Sequence, residues 1–364
     1  MIAVLPYVIH PKTAVLGRAG GESKERAWSG TNYSIYKSLS KLFDIQEFSI
    51  STPWIVTKIF NKLGLDWFSR EWYISKFRKI KKIQDGKVFQ FGENLFETDK
   101  RKTFIYQDLS VSYVKYMRDN LPEVYMVSSY QDAGSSIIDK RTILQNKYYE
   151  TCSGIFTMGH WLRNFLVEQG LPAEKVHAVG AGINVKKELI NPQKKTHNKI
   201  LFVGRDFKRK GGYVTYEAFK NLREKGEDIE LYVSGPKQNP ISDSIEGYHF
   251  MGDLDYAQVA DLYNQCDIFC MPSYFEAYGL VFIEALSYGL PCIGRDCYEM
   301  PYFIEDGVTG KLLKEDNPNM LASLMLDLLH DDQIKQNVVD KKQWYLETYS
   351  WDKVAERMEK IINK

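Results

Sequence analysis

The sequence predicts an α/β protein made of two doubly wound, Rossmann-like domains facing a cleft, with a C-terminal helix packing back on the first domain. Three observations predict it. A chain of 364 residues is too long for one ordinary α/β domain and suits two of about 150 to 200 residues each. Short β-branched runs alternate with longer helical patterns, as parallel α/β sheets require. The polar segment Asn184 to Asn198 (NVKKELINPQKKTHN), which contains Pro192, separates two sets of such runs in the way an interdomain linker does. The expected division is therefore 1–184, with the tail helix near 350–364, and 185–349.

In chain order, the first set of strands is expected near 2–8, 44–49, 124–128, 154–158 and 175–179. The run Met1 to Tyr7 is apolar, has no basic lead and is stopped by Pro6 and Pro11, so it reads as a first strand and not as a secretory signal. The second set is expected near 199–203, 229–234, 267–271, 291–294 and 311–313. Helical periodicity falls at 31–42, with Ile35, Leu39 and Leu42 on one face, and at 135–151, 160–169, 213–225, 256–265, 280–289 and 318–329. The last stretch, 333–363, is amphipathic and has no strand after it. No run of 18 apolar residues marks a transmembrane helix.

Lysine and arginine total 48 against 47 aspartate and glutamate, which excludes the whole-molecule positive field of a nucleic-acid binder. The five cysteines, Cys152, Cys266, Cys270, Cys292 and Cys297, lack paired CxxC spacing, so reduced buried thiols in a cytoplasmic protein are expected instead of a disulfide framework or a zinc site. Residues 54–82 hold eight lysines or arginines interleaved with Trp54, Trp67, Trp72 and Phe77. This pattern suits a packed surface helix with a solvated basic face, or a peripheral contact with an anionic membrane.

Chemistry concentrates in two runs of the second half. In Ser273 to Ala285 (SYFEAYGLVFIEA) a strand ends in a turn holding Glu276 and Gly279, and a helix follows. The turn thus falls at the carboxyl edge of a parallel sheet, where such folds bind ligands. The first amides of that helix, at Gly279, Leu280 and Val281, have no internal partner and can donate to a phosphate or a hydroxyl. Two carboxylates, Glu276 and Glu284, suit a polyhydroxylated molecule; equally, acids at a helix start are ordinary macrodipole partners. In the second run, Ile200 to Gly212 (ILFVGRDFKRKGG), a buried strand leads through Gly204 to Arg205 and Lys210, cations able to neutralise a diphosphate or to form a solvated basic turn.

Weaker signals surround these. Gly30 and Thr31, in the glycine-rich stretch 17–31, could present backbone donors or serve a simple turn. Val179 to Ile183 holds GxG without a third glycine, a poor dinucleotide fingerprint. Asp253-Leu254-Asp255 has paired aspartates of the kind that hold a divalent cation, but Asp255 stands where a helix N-cap belongs. Asp108, Asp132 and His160 are candidates for lining an acceptor, in competition with core or capping roles.

The run SYFEAYGLVFIEALSYGLP, with Glu276 and Glu284 separated by seven residues, together with VGRDFKRKGG, resembles the retaining GT-B-fold glycosyltransferases of family four, the glycosyl transferases group 1. The likeness covers about the last 210 residues and extends to Glu305-Asp306-Gly307-Val308-Thr309-Gly310. It implies a hexose-type sugar moved from a nucleotide diphosphate sugar, UDP before GDP, to a glycan, lipid-linked or small-molecule acceptor. Arg205 and Lys210 would hold the diphosphate, Glu276 the transferred sugar and Glu284 the ribose. Gly279, Leu280 and Val281 would supply amides, Gly204 would lie at the same edge, Met251 would flank the base, and no metal or other cofactor is implied. Where many relatives have paired glycines and Pro-Glu, this chain has Tyr298-Glu299-Met300-Pro301-Tyr302. A nucleotide-sugar 2-epimerase on the same fold and a non-catalytic sugar-nucleotide or glycan-binding protein are the competing expectations.

Overall fold

The computed structural model describes residues 6–9, 14–19, 31–45, 48–50, 53–76, 87–91, 103–191 and 198–364. The chain divides into two compact units, residues 1–182 with 350–364, and residues 183–349.

Unit one holds a seven-stranded sheet in the order β3-β2-β1-β4-β5-β6-β7. Its strands are β1 (Pro6–Ile9), β2 (Ala14–Ala19), β3 (Phe48–Ile50), β4 (Lys87–Phe91), β5 (Thr103–Gln107), β6 (Gly154–Thr157) and β7 (Val176–Ala178). Pairing is parallel except at β1, which runs antiparallel to both neighbours. Aromatic rings fill the space over β4 to β6: Phe104 stacks on Phe156 at 5.5 Å, and Phe89 meets Phe91 edge-on at 5.7 Å.

Three expectations change here. The strand expected near 124–128 is instead a helix, α5 (Pro122–Val127), following α1 (Thr31–Leu39), α2 (Trp54–Lys62), α3 (Trp67–Ser75) and α4 (Val111–Asn120). Pro122 fills its first turn with Glu123 beside it, and Tyr125 is its buried residue; proline is pre-set for a helix start, and an acid there complements the dipole. The true central strands β4 and β5 were not expected. They are buried along nearly their whole length, with Gln90 and Gln107 inside, so neither alternation nor an unbroken apolar run advertises them. The stretch 17–31 begins inside β2, not after the first strand, and Gly30 lies outside the described residues.

The tail packs on unit one. After α6 (Ser135–Thr151), α7 (His160–Glu168), α8 (Gly212–Glu224), α9 (Tyr256–Gln265), α10 (Leu280–Tyr288), α11 (Met300–Phe303), α12 (Pro318–His330) and α13 (Asp332–Thr348) comes α14 (Trp351–Ile362). Val354, Ala355, Met358 and Ile362 are buried on one face of α14, the periodicity of an amphipathic helix. Asp352 accepts from Lys41 at 2.7 Å, and Arg357 Nε donates to the Val179 carbonyl at 2.7 Å.

Unit two is an all-parallel sheet in the order β10-β9-β8-β11-β12-β13. The strands are β8 (Lys199–Val203), β9 (Glu230–Ser234), β10 (Tyr248–Gly252), β11 (Ile268–Cys270), β12 (Cys292–Arg295) and β13 (Gly310–Leu313). Counted within the unit this is the order 3-2-1-4-5-6 of a dinucleotide-binding fold, whose topological switch point lies between the first and fourth strands, β8 and β11. Chains leaving those two strands depart to opposite faces, which opens a crevice at their carboxyl ends. Four cysteines are buried in the described structure and Cys297 is half-buried, all as free thiols. No helix among the described residues is long and apolar enough to cross a membrane.

Candidate functional site

The loops after β8 and β11 carry the two sequence runs singled out above, so the topology brings them to the switch point. Gly211 adopts the left-handed conformation at the start of α8, with φ of 76°, and a Cβ there would lie 2.3 Å from the Pro272 carbonyl oxygen. The β8–α8 loop can therefore press directly on the chain leaving β11. Tyr274 N donates to the Arg209 carbonyl at 2.9 Å, which joins the same two loops.

Lys210 and Glu276 meet at this junction. Lys210 Nζ donates to Glu276 Oε2 at 2.9 Å, and the two side chains are only 13% and 12% exposed. The stem of Lys210 crosses Gly204, where a Cβ would stand 2.3 Å from its Cδ; a glycine is required for that route. Burial pushes the Glu276 carboxyl up, but the Lys210 and Arg209 cations and the Lys210 hydrogen bond outweigh it and hold the group below the ordinary carboxylate range. Glu276 is thus an anion fixed against a cation at a ligand-binding edge.

Gly279 turns the chain into α10 with φ of 96°, a conformation costly to residues with a Cβ. α10 is apolar on almost every side, with Phe282, Ile283, Ala285, Leu286, Ser287 and Tyr288 buried, as expected of a core helix. Leu280 and Val281 in its first turn are half-buried. Glu284 lies one turn further on, its Oε2 3.5 Å from the Tyr263 hydroxyl. Burial pushes its carboxyl up to about 7, against the smaller pull of Tyr263 and Lys210. Tyr263, which stacks on Tyr288 at 5.1 Å, belongs to α9 and had no sequence signal.

Arg205 is not beside Glu276. Its side chain is 82% exposed and lies 3.5 Å from Asp253, at the end of β10 next to Met251, which is exposed, and Gly252. The edge therefore carries a buried pair, Lys210 and Glu276, and a solvated one, Arg205 and Asp253. The cation that does join Lys210 is Arg209, at 3.8 Å from Glu276 Oε2. In sequence it was one of three consecutive basic residues, and only the loop geometry distinguishes it. Asp255 caps α9 through a capping box with Gln258. Arg295, at the end of β12, lies over the Tyr274 ring at 4.3 Å and donates to Asp316 at 2.9 Å, while the Tyr274 hydroxyl donates to Asp316 at 2.8 Å. This cluster braces the turn that holds Glu276 and was also unforeseen. In unit one, Asp108 is half-buried just beyond β5, and Asp132 and His160 are exposed.

Known structures share this fold. HepE of Anabaena, solved with UDP and glucose, superposes with a TM-score of 0.61 at 12% identity, over 98% of this chain and 100% of that one. Sucrose-phosphate synthase from Thermosynechococcus elongatus gives 0.55 at 19% identity, over 73% of this chain and 68% of that one. Two doubly wound units with this topology define the GT-B glycosyltransferase fold. Residues 185–343 match the family model of the glycosyl transferases group 1, and this part of the chain is a member of that family.

Among curated relatives, the phosphatidyl-myo-inositol mannosyltransferase of Mycobacterium leprae (strain TN) is 26% identical over 191 residues, 50% of this chain and 51% of that protein. The D-inositol 3-phosphate glycosyltransferase of Corynebacterium kroppenstedtii is 29% identical over 177 residues, 44% of this chain and 39% of the relative. The chain spans about half the length of the curated relatives it matches.

Proposed function

We propose that this protein is a retaining, metal-independent glycosyltransferase that moves a hexose-type sugar from a nucleoside diphosphate donor, UDP before GDP, to a glycan, lipid-linked or small-molecule acceptor. The observation that carries the reading is the buried Lys210–Glu276 pair at the switch point of a group 1 domain. In this reading Lys210 and Arg205 take the leaving diphosphate, and the amides of Gly279, Leu280 and Val281 add fixed dipoles. Glu276 accepts hydrogen bonds from the transferred sugar, Glu284 from the ribose, and Met251 flanks the base. As the anomeric carbon becomes oxocarbenium-like, the diphosphate gathers negative charge, and preorganised cations and amides stabilise it without reorganising. The acceptor's proton passes to the leaving phosphate on the same face, so the reading needs no protein base.

Support for a UDP donor comes from the neighbours solved with UDP, among them HepE and a TarM variant; a lipid-linked acceptor is supported by the mannosyltransferase relatives named for phosphatidyl-myo-inositol. In unit one, α2 leaves Trp54, Ile55 and Ile59 exposed, as is Leu63 at its C-cap, and carries Lys58 and Lys62 without an acid, which supports a cytoplasmic enzyme resting on an anionic membrane.

A thermal-shift panel of UDP- and GDP-sugars tests donor binding, since a ligand of the native state alone raises the melting temperature. No shift with any of them at millimolar concentration sinks the reading. Incubation with the shifting donor alone then separates the alternatives, since an epimerised nucleotide sugar establishes the 2-epimerase; in a second incubation with acceptor added, loss of transfer in EDTA refutes metal independence.

A further inference from the structure

Arg209 is a cation at this edge that the proposed transfer does not use. Its backbone N donates to Asp206 Oδ1 at 3.2 Å and its Nε to Asp206 Oδ2 at 3.1 Å. Its Nη1 donates to the Phe275 carbonyl at 2.5 Å and stands 3.8 Å from Glu276 Oε2. Its own carbonyl accepts from Tyr274 N. The side chain is 16% exposed. These contacts run either to the turn that carries Glu276 or to the aspartate that aims the guanidinium at it.

Lysine and arginine behave differently in such a place. A lysine ammonium sits on a flexible stem and can exchange one anion for another; a guanidinium bound through several of its nitrogens keeps its orientation. If Lys210 serves the donor diphosphate, as the proposed function has it, its ammonium leaves Glu276 when the donor arrives. A buried carboxylate stripped of its cation is strongly disfavoured and takes up a proton. Arg209, tied to Asp206 and to the Phe275 carbonyl, does not leave.

We propose that Arg209 is the positioning residue of Glu276: it holds the Glu276 turn against the β8–α8 loop and keeps the carboxylate ionised and aimed at the sugar while Lys210 is engaged with the diphosphate. The proposal rests on the donor reading above. The charged groups around Glu276 are Asp206, Arg209 and Lys210 from the β8–α8 loop and Glu284 from α10, with Arg295 and Asp316 beyond Pro272 and Tyr274. Of these, Lys210 and Arg209 are the cations in contact with the carboxylate.

The test is the pH profile of kcat, which reports the donor-bound enzyme, in the wild type, Arg209→Gln, Arg209→Lys and Glu276→Gln. Arg209→Gln is expected to lower kcat about tenfold with little change in KM, and to move the acid limb upward by at least about half a pH unit. Arg209→Lys is expected to return the limb most of the way, a rescue that a purely structural role does not produce; it also serves if the glutamine variant fails to fold. An acid limb at the wild-type position in the folded variants, with Glu276→Gln inactive, overturns the proposal and leaves the donor reading intact. Full activity in Glu276→Gln overturns the donor reading itself, and the proposal with it.

Discussion

Lys210 Nζ lies 2.9 Å from Glu276 Oε2, with both side chains nearly buried, on loops that leave different strands of one sheet. Breaking a buried pair from one side leaves an uncompensated charge, which costs more than removing both partners.

Lys210→Ala and Glu276→Ala are each expected to lower transfer at least tenfold, about 1.4 kcal/mol in the barrier. Lys210→Met is expected to destabilise the protein by about 3 kcal/mol, with part of the loss recovered in Lys210→Met/Glu276→Gln, as read by urea denaturation. Full activity in either alanine variant refutes the site assignment. Because the folded Glu276 carboxyl titrates below its ordinary value of 4.5, its stabilising contribution is present above that pH and is lost as pH falls through the lower folded value. Glu276→Gln should therefore show a shallower acid loss of stability than the wild type.

Glu284 has the opposite sign. Its carboxyl is raised from 4.5 to about 7 in the folded protein, so its stabilising contribution is complete below 4.5 and is lost as pH rises through about 7. Glu284→Gln is expected to flatten that decline between pH 5 and 8. If the ionised carboxylate accepts from the donor ribose, UDP binding at pH 6 should release a proton, visible by calorimetry in buffers of different ionisation enthalpy. Heats that do not depend on the buffer exclude this role.

Arg205 separates binding from stability. With 82% of its side chain exposed, Arg205→Ala should shift unfolding free energy by less than about 0.5 kcal/mol. UDP affinity should nevertheless weaken about tenfold or more, as expected on losing a charge-assisted contact to phosphate. Unchanged affinity in a thermal-shift titration removes Arg205 from the donor site.

The exposed face of α2 is testable on its own. Wild-type protein should sediment with vesicles rich in phosphatidylglycerol and less with pure phosphatidylcholine. Lys58→Glu/Lys62→Glu should abolish the difference, since each basic residue near an anionic surface contributes about 1 kcal/mol. Equal sedimentation of the wild type with both compositions refutes the membrane assignment.

Local patterns were sufficient for much of this protein. The strand-turn-helix around Glu276 and Gly279, the capped start of α9 at Asp255, and the amphipathic tail α14 each follow from residues close together in the chain. For the same reason Glu276, Glu284 and Lys210 could be singled out from their spacing. The sequence could not show that β4 and β5 form the middle of the first sheet, because a strand buried on both faces has no alternation to read. Nor could it show that Arg209, and not Arg205, joins Lys210 beside Glu276. That choice depends on Gly204 and Gly211 letting two loops from opposite sides of a switch point close on one another. Only this tertiary approach sends Arg205 to solvent and Asp253 while it aims Arg209 and Lys210 at Glu276, since an ion pair depends on distance in space and not on distance along the chain.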